Sequence, residues 1–174
     1  VAMSGAFVGG VAADVQGLSS ASEGDIDVGQ SSVTQTVTVD VDTDGTAETI
    51  TIDPTRSQDL GQNNVVSASA SVDGDLIKES DASVSSGVVS VDVSGDSDTG
   101  EADGTLTVEI EYDTTGIATD TGSNQKVAID DSGSGTDASE VTDTFDLTAP
   151  DSITVTKDNN NGLQYAVDNV AEDG

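Results

Sequence analysis

Residues 37–53, VTVDVDTDGTAETITID, decide the fold class that the sequence predicts. On both sides of a central DTDG, Val or Ile alternates with Thr or Asp, which is the period-two pattern of a strand with one buried face. Gly45 ends the DTDG segment, and glycine readily adopts the positive φ that tight turns need. The stretch therefore predicts two short β-strands and an acidic turn, which we expect to form a hairpin.

Comparable short patterns follow along the chain, at a spacing of roughly ten residues. The clearest is TLTVEIEY at 105–112, where every second residue is apolar and the others are polar. Turn signals such as GDSDTGEADG and KDNNNG separate the patterns, and no helical periodicity follows residue 30. We expect an all-β fold, a single β-sandwich of jelly-roll or immunoglobulin-like type with about eight or nine short strands.

The charge of the chain bounds its habitat and its partners. It carries 34 acidic and 4 basic residues, a net charge of -30, and 26 of the acids are Asp. This composition resembles that of proteins from extreme halophiles, where molar salt shortens the Debye length to about 3 Å and screens the repulsion. High charge with low hydrophobicity is also typical of disorder, but the regular strand pattern argues against it. Nucleic acid is excluded as a partner, because phosphate binding needs clustered cations.

Most catalytic chemistry is absent from the residue types available. The chain has no His and no Cys, so the commonest general base, zinc ligand and thiol nucleophile are missing. Carboxylate pairs could act on sugars, but two Phe and two Tyr cannot easily build the aromatic floor that such sites use. No phosphate-binding loop or GxSxG motif occurs. We therefore predict that the protein is not an enzyme.

Residues 1–16, VAMSGAFVGGVAADVQ, differ from the rest of the chain, because their first charge is Asp14. They resemble the end of a secretory signal region, and we expect that an upstream segment was removed. The run is too short to span a bilayer. It fits a helical stripe with a GxxxG motif, a strand threading a narrow groove, or a strand of its own domain. The residues predicted to mediate assembly are Val1, Met3, Phe7, Val8 and Val11.

The composition divides the chain into three parts. Residues 1–16 form the apolar N-terminal assembly segment. Residues 17–30, GLSSASEGDIDVGQ, are rich in Ser, Gly and acids and are predicted to be a linker. Residues 31–174 form the acidic β-sandwich domain.

The DTDG turn also matches the first half of a calcium loop. Asp40, Asp42, Asp44 and Gly45 occupy the first positions of an EF-hand pattern, but its twelfth position is Thr51 instead of Glu, and the flanks are strands. An EF-hand is therefore excluded. Two alternatives remain. The three Asp residues form a looser calcium site, or they belong to a solvated turn with no cofactor.

The apolar start and the Asp/Thr-rich strands resemble secreted cell-surface proteins of haloarchaea. An apolar N-terminal segment before an all-β domain is also similar to fibres assembled by donor-strand complementation, such as archaeal bundling pili and TasA-type biofilm fibres. That resemblance implies that residues 1–13 of one subunit fill a gap in the next. The chain differs from type IV pilins, whose apolar N-terminal helix is longer than the apolar segment here.

These observations lead to three functional expectations. The first is a structural protein, a self-assembling extracellular filament or pilus subunit of halophilic archaea. Its partner would be itself, with cell adhesion or binding to abiotic surfaces as its role. The second is a capsid-decorating or tail protein of a haloarchaeal virus. The third is a calcium-dependent surface adhesion module.

Overall fold

The computed structural model describes residues 15–43, 45, 47–56, 59–95, 102–117, 125–131, 140–149, 155–158 and 162–165. These residues form β-strands and no helix. The strands are β1 (Val15–Glu23), β2 (Ile26–Asp27), β3 (Val33–Thr43), β4 (Glu48–Asp53), β5 (Val65–Val72), β6 (Leu76–Lys78), β7 (Ser83–Ser85), β8 (Val88–Gly95), β9 (Ala102–Tyr112), β10 (Gln125–Asp131), β11 (Val141–Phe145), β12 (Leu147–Thr148), β13 (Val155–Asp158) and β14 (Gly162–Tyr165).

The longer strands form two antiparallel sheets. The first has the order β1-β3-β9-β5, and the second has the order β11-β10-β4-β8-β6, with β7 also paired to β8. Two small pairs complete the described structure, the parallel β2–β12 and the antiparallel β13–β14. Eight of the fourteen strands are five residues or longer. The prediction of an all-β sandwich is confirmed.

Period-two alternation produces the core. In β3 the buried side chains alternate with exposed or half-buried ones. β4 and β9 follow the same rule, and β8 follows it as far as Val93. Their inner side chains form one apolar cluster, which holds Val37, Val39 and Val41 from the first sheet and Ile50, Ile52, Val89, Val91 and Val93 from the second. Each fully buried Val or Ile contributes roughly 1.5–3 kcal/mol. The two sheets therefore pack face to face over an aliphatic core.

The turn at Gly45 joins the two sheets instead of forming a hairpin, so the hairpin prediction was wrong. β3 pairs with β1 and β9, whereas β4 pairs with β8 and β10. Gly45 does have a positive φ of 90°, and its amide donates to Thr43 Oγ1 at 2.8 Å. Alternation shows which face of each strand is buried. The alternation pattern is the same whether two strands are neighbours in one sheet or lie in two sheets that face each other across a core.

Residues 17–30 are not a linker. They contain most of β1 and all of β2, and they bury Leu18, Ile26 and Val28. The Ile26 amide donates to the Asp146 carbonyl at 3.0 Å. Thr114, which is fully buried, donates through Oγ1 to the Asp27 carbonyl at 2.8 Å. Ser, Gly and acidic residues surround these apolar positions in the sequence, so composition alone predicted a linker.

Candidate assembly edge

The sequence-predicted assembly residues lie outside the described residues. These are Val1, Met3, Phe7, Val8 and Val11, and their role stays a prediction. The described chain begins within β1 at Val15, and β1 pairs antiparallel with β3. A surface that receives an added strand must be a sheet edge with unpaired backbone groups. In the described residues the sandwich has four such edges, at β1, at β5, at β11, and at β6 with β7.

The edge of the first sheet at β5 is open. In the described part of the chain, β5 pairs with β9 and with no other strand. Its sequence, VVSASASV, carries no charge. Three residues of β5 face inward and are aligned with buried residues of β9, in the pairs Ala68 with Ile110, Ala70 with Val108, and Val72 with Leu106. The side chains of these three β5 residues are nevertheless only partly buried. The edge thus ends in a row of small apolar side chains that the described residues cover incompletely.

The backbone of β5 offers hydrogen bonds along the same edge. The Asp73 amide donates to the Thr105 carbonyl of β9 at 3.0 Å. In an antiparallel pair, alternate residues direct both backbone groups at the partner strand. By that alternation, Ala70 and Val72 direct their N–H and C=O groups away from β9. These are also residues whose side chains face the core side, so an added strand would find donors, acceptors and apolar contacts together.

The most exposed large apolar side chains in the described residues also lie on this side of the sandwich. Val66 of β5 is 54% exposed, and Ile77 of the neighbouring β6 is 43% exposed. Val66 stands where the β5–β9 register shifts, as in a β-bulge. In a chain with 33% hydrophobic residues and a strongly acidic surface, two such side chains on adjacent edges mark a surface that a partner could bury.

The edge of the second sheet on the same side is short and interrupted. β6 and β7 pair with different parts of β8, at residues 93–95 and 88–90. The segment between them carries charge, and Lys78 Nζ contacts Asp81 Oδ1 at 2.8 Å. Short edge strands with Lys and breaks resist pairing with other chains. This edge is therefore protected, whereas the adjacent β5 is not.

The opposite side of the sandwich is protected by inward-facing carboxyl groups. Glu23 of β1 aligns with the buried Val37, and Asp143 of β11 aligns with the buried Val127. Both Glu23 carboxylate oxygens are buried and lack a hydrogen-bond partner among the described residues. Desolvation, together with the nearby Asp143 charge, raises the pKa of Glu23 to about 7. An inward charge on an edge strand disfavours addition of another strand.

Two of the predicted calcium positions, Asp40 and Asp42, lie on the outer face of the first sheet. Thr105 Oγ1 donates to Asp40 Oδ1 at 3.1 Å, and Asp42 is aligned with Asp103 of β9. Asp44 lies outside the described residues. Within the described ranges, no group of three or more acidic side chains is placed to hold a metal ion. Calcium binding at Asp40, Asp42 and Asp44 stays a prediction.

These outer Asp residues line a shallow groove of about 470 Å³, together with Gly17, Ser19, Val41, Gly104 and Thr105. The groove is acidic and open to solvent, so it would repel anionic ligands. Asp42 and Asp103 are like charges directly opposite each other, an arrangement that destabilises a sheet unless salt screens it.

The position of β5 at a sheet edge was not predicted from the sequence. Alternation predicts a strand and not its place in the sheet order. One signal was available, which is the distribution of charge. Residues 60–72 contain no charged residue, and residues 1–13 are an uncharged run of the same length.

Comparisons with known proteins give no relatives. No family model, no curated protein and no solved structure matches this chain. In the part of the chain that the structure describes, no helix has the length and apolarity needed to cross a membrane.

Proposed function

We propose that this protein is an extracellular structural subunit that forms a filament, and that it comes from a halophilic archaeon. Each copy inserts its N-terminal segment into the β-sandwich of a neighbour. The residues assigned to insertion are Val1, Met3, Phe7, Val8 and Val11. No enzymatic activity is part of this proposal.

The observation that carries the proposal is the open β5 edge in an otherwise strongly acidic protein. The net charge of -30 would keep copies apart at most surfaces, but β5 bears no charge and has one strand partner among the described residues. Strand addition there would supply main-chain hydrogen bonds and cover partly buried apolar side chains. Each large apolar side chain that becomes buried contributes roughly 1.5–3 kcal/mol.

Such a contact is heterologous, because the donor surface and the acceptor surface are different. Repeating a heterologous contact without closure produces an open filament. The acidic outer faces would remain on the fibre surface, where molar salt screens them. A filament of this kind suits adhesion to cells or abiotic surfaces.

Electron microscopy of the purified chain in about 3 M salt, where charges are screened, tests the proposal. The wild-type protein is compared with a variant lacking residues 1–13. That deletion leaves β1 intact, because β1 begins at Val15. We expect filaments from the wild type and folded monomers from the deletion. Filaments of equal length from both would contradict the proposal, as would a monodisperse wild type.

A further inference from the structure

We propose that the β5 edge, Val65–Val72, is the acceptor for residues 1–13 of a second copy of this chain. The inference rests on the proposed function, and it adds which surface receives the segment. The alternatives are the other edges of the same sandwich, and each has a feature that β5 lacks.

The absence of charge distinguishes the donor segment and the β5 edge from the rest of the chain. In a chain with 34 acidic residues, uncharged runs of thirteen occur at 1–13 and at 60–72, and the second contains all of β5. Residues 28–39 are a run of twelve, but β3, which holds most of them, has strand partners on both sides. Two strands that pair bring their side chains within about 5 Å of each other. Pairing β5 with residues 1–13 therefore places no carboxylate against another.

Size also favours this pairing. The inner face of β5 presents two alanines, Ala68 and Ala70, whose side chains remain only partly buried. In strand geometry, Met3, Phe7 and Val11 would share one face of the donor, since side chains alternate with period two. Large donor side chains over small acceptor side chains fill space that the acceptor's own residues leave open.

The other edges are less suitable for the same donor. β1 and β11 carry the inward carboxyls of Glu23 and Asp143, and the β6–β7 edge is broken and holds the Lys78–Asp81 ion pair. An added strand at any of these sites would have to pair beside a charge. Among the described edges, β5 alone combines a strand of eight residues with the absence of charged side chains.

Disulfide cross-linking between two single-cysteine variants tests the assignment in the full-length chain. The natural chain has no Cys, so each variant has one thiol. One variant carries Phe7→Cys, and a second, distinguished by a larger tag, carries Ala70→Cys. The matched control replaces the second with Thr142→Cys, which is exposed on β11 at the far edge. The two are mixed unfolded, refolded in high salt and oxidised, and the products are separated by gel electrophoresis.

We expect the mixed Phe7–Ala70 product to exceed the Phe7–Thr142 product at least tenfold. Equal yields, or a larger yield with Thr142, would overturn the β5 assignment. If cross-linking gives that result while the wild type forms filaments and the deletion of residues 1–13 does not, the proposed function stands and only the acceptor edge is wrong. If the wild type forms no filament, the proposed function itself fails. A double variant that carries both Phe7→Cys and Ala70→Cys tests whether the segment pairs within its own chain. An intrachain disulfide that forms in higher yield than the disulfide between two chains would also overturn the inference, because the segment would then fill its own sandwich.

Discussion

The hydroxyl of Tyr112 donates to the side-chain oxygen of Gln35 at 2.7 Å in the core of the sandwich. The Gln35 amide nitrogen in turn donates to the Gly24 carbonyl at 2.7 Å. Both side chains are buried, and burial raises the pKa of Tyr112, so the phenol keeps its proton. This relay joins the centre of the first sheet to the connection between β1 and β2.

Replacing Tyr112 with Phe should lower the free energy of unfolding by roughly 1–3 kcal/mol, because it leaves the buried oxygen of Gln35 without its donor. Urea denaturation in high salt measures the change. Ser69→Ala, which removes an exposed hydroxyl from β5, is the control and should stay within about 0.5 kcal/mol of the wild type. A Tyr112→Phe variant as stable as this control would show that the relay contributes nothing.

Glu23 should make the protein less stable as the pH rises. Its folded pKa of about 7 lies above the unfolded value of 4.5, so the folded state binds the proton more tightly. The stability that this group contributes is present below about pH 4.5 and is lost as the pH rises to about 7. Glu23→Gln should remove this part of the pH dependence, about 2 kcal/mol after allowance for partial exposure.

Chemical denaturation across this pH range, with wild type and Glu23→Gln in parallel, isolates the effect from the many other carboxyls. Asp143→Asn should remove only part of it, because desolvation is the larger cause of the shift and the Asp143 charge the smaller. Parallel profiles for wild type and Glu23→Gln would mean that the Glu23 carboxyl is solvated in the folded state.

Gly104 is required for the close approach of β9 to the turn between β5 and β6. A Cβ at this position would overlap the Asp73 carbonyl oxygen and lie 2.8 Å from Leu76 Cγ. Gly104→Ala should therefore lower the free energy of unfolding by roughly 1–3 kcal/mol, as overpacking does. At Gly116 a Cβ would meet nothing within 4 Å, so Gly116→Ala is the matched control. Equal thermal midpoints for the two variants would contradict the tight packing at Asp73.

The strands could be predicted from the sequence, and their partners could not. The alternation of β3, β4 and β9 reports a buried face, which is a local property. Which sheet β4 joins depends on contacts with β8 and β10, far along the chain. The core role of Leu18 and Ile26 was hidden for a different reason, since single apolar residues among Ser and Asp carry no clear period. Gln35 and Tyr112 could not be paired because 77 residues separate them.

The candidate site was predicted only in part. The uncharged segment 1–13 stood out in the composition, and its function as a donor stays a prediction. The acceptor was missed because an edge is defined by a missing neighbour, and a sequence does not show that. Glu23 was missed because nothing in SASE, residues 20–23, distinguishes a Glu with buried carboxylate oxygens from an exposed one.

The most direct test of assembly through β5 blocks this edge and leaves the N-terminal segment unchanged. Ala70→Pro removes an N–H that points away from β9, and edge strands tolerate proline at such positions. Ala70→Lys places a charge on the same inner face, and Ser69→Lys, which faces outward, is its matched control. Circular dichroism and urea denaturation first establish which variants are folded.

Electron microscopy in high salt then measures filament length. We expect filaments from the wild type and Ser69→Lys, and folded monomers from Ala70→Lys and Ala70→Pro. Wild-type filaments from both folded Ala70 variants would contradict assembly through β5.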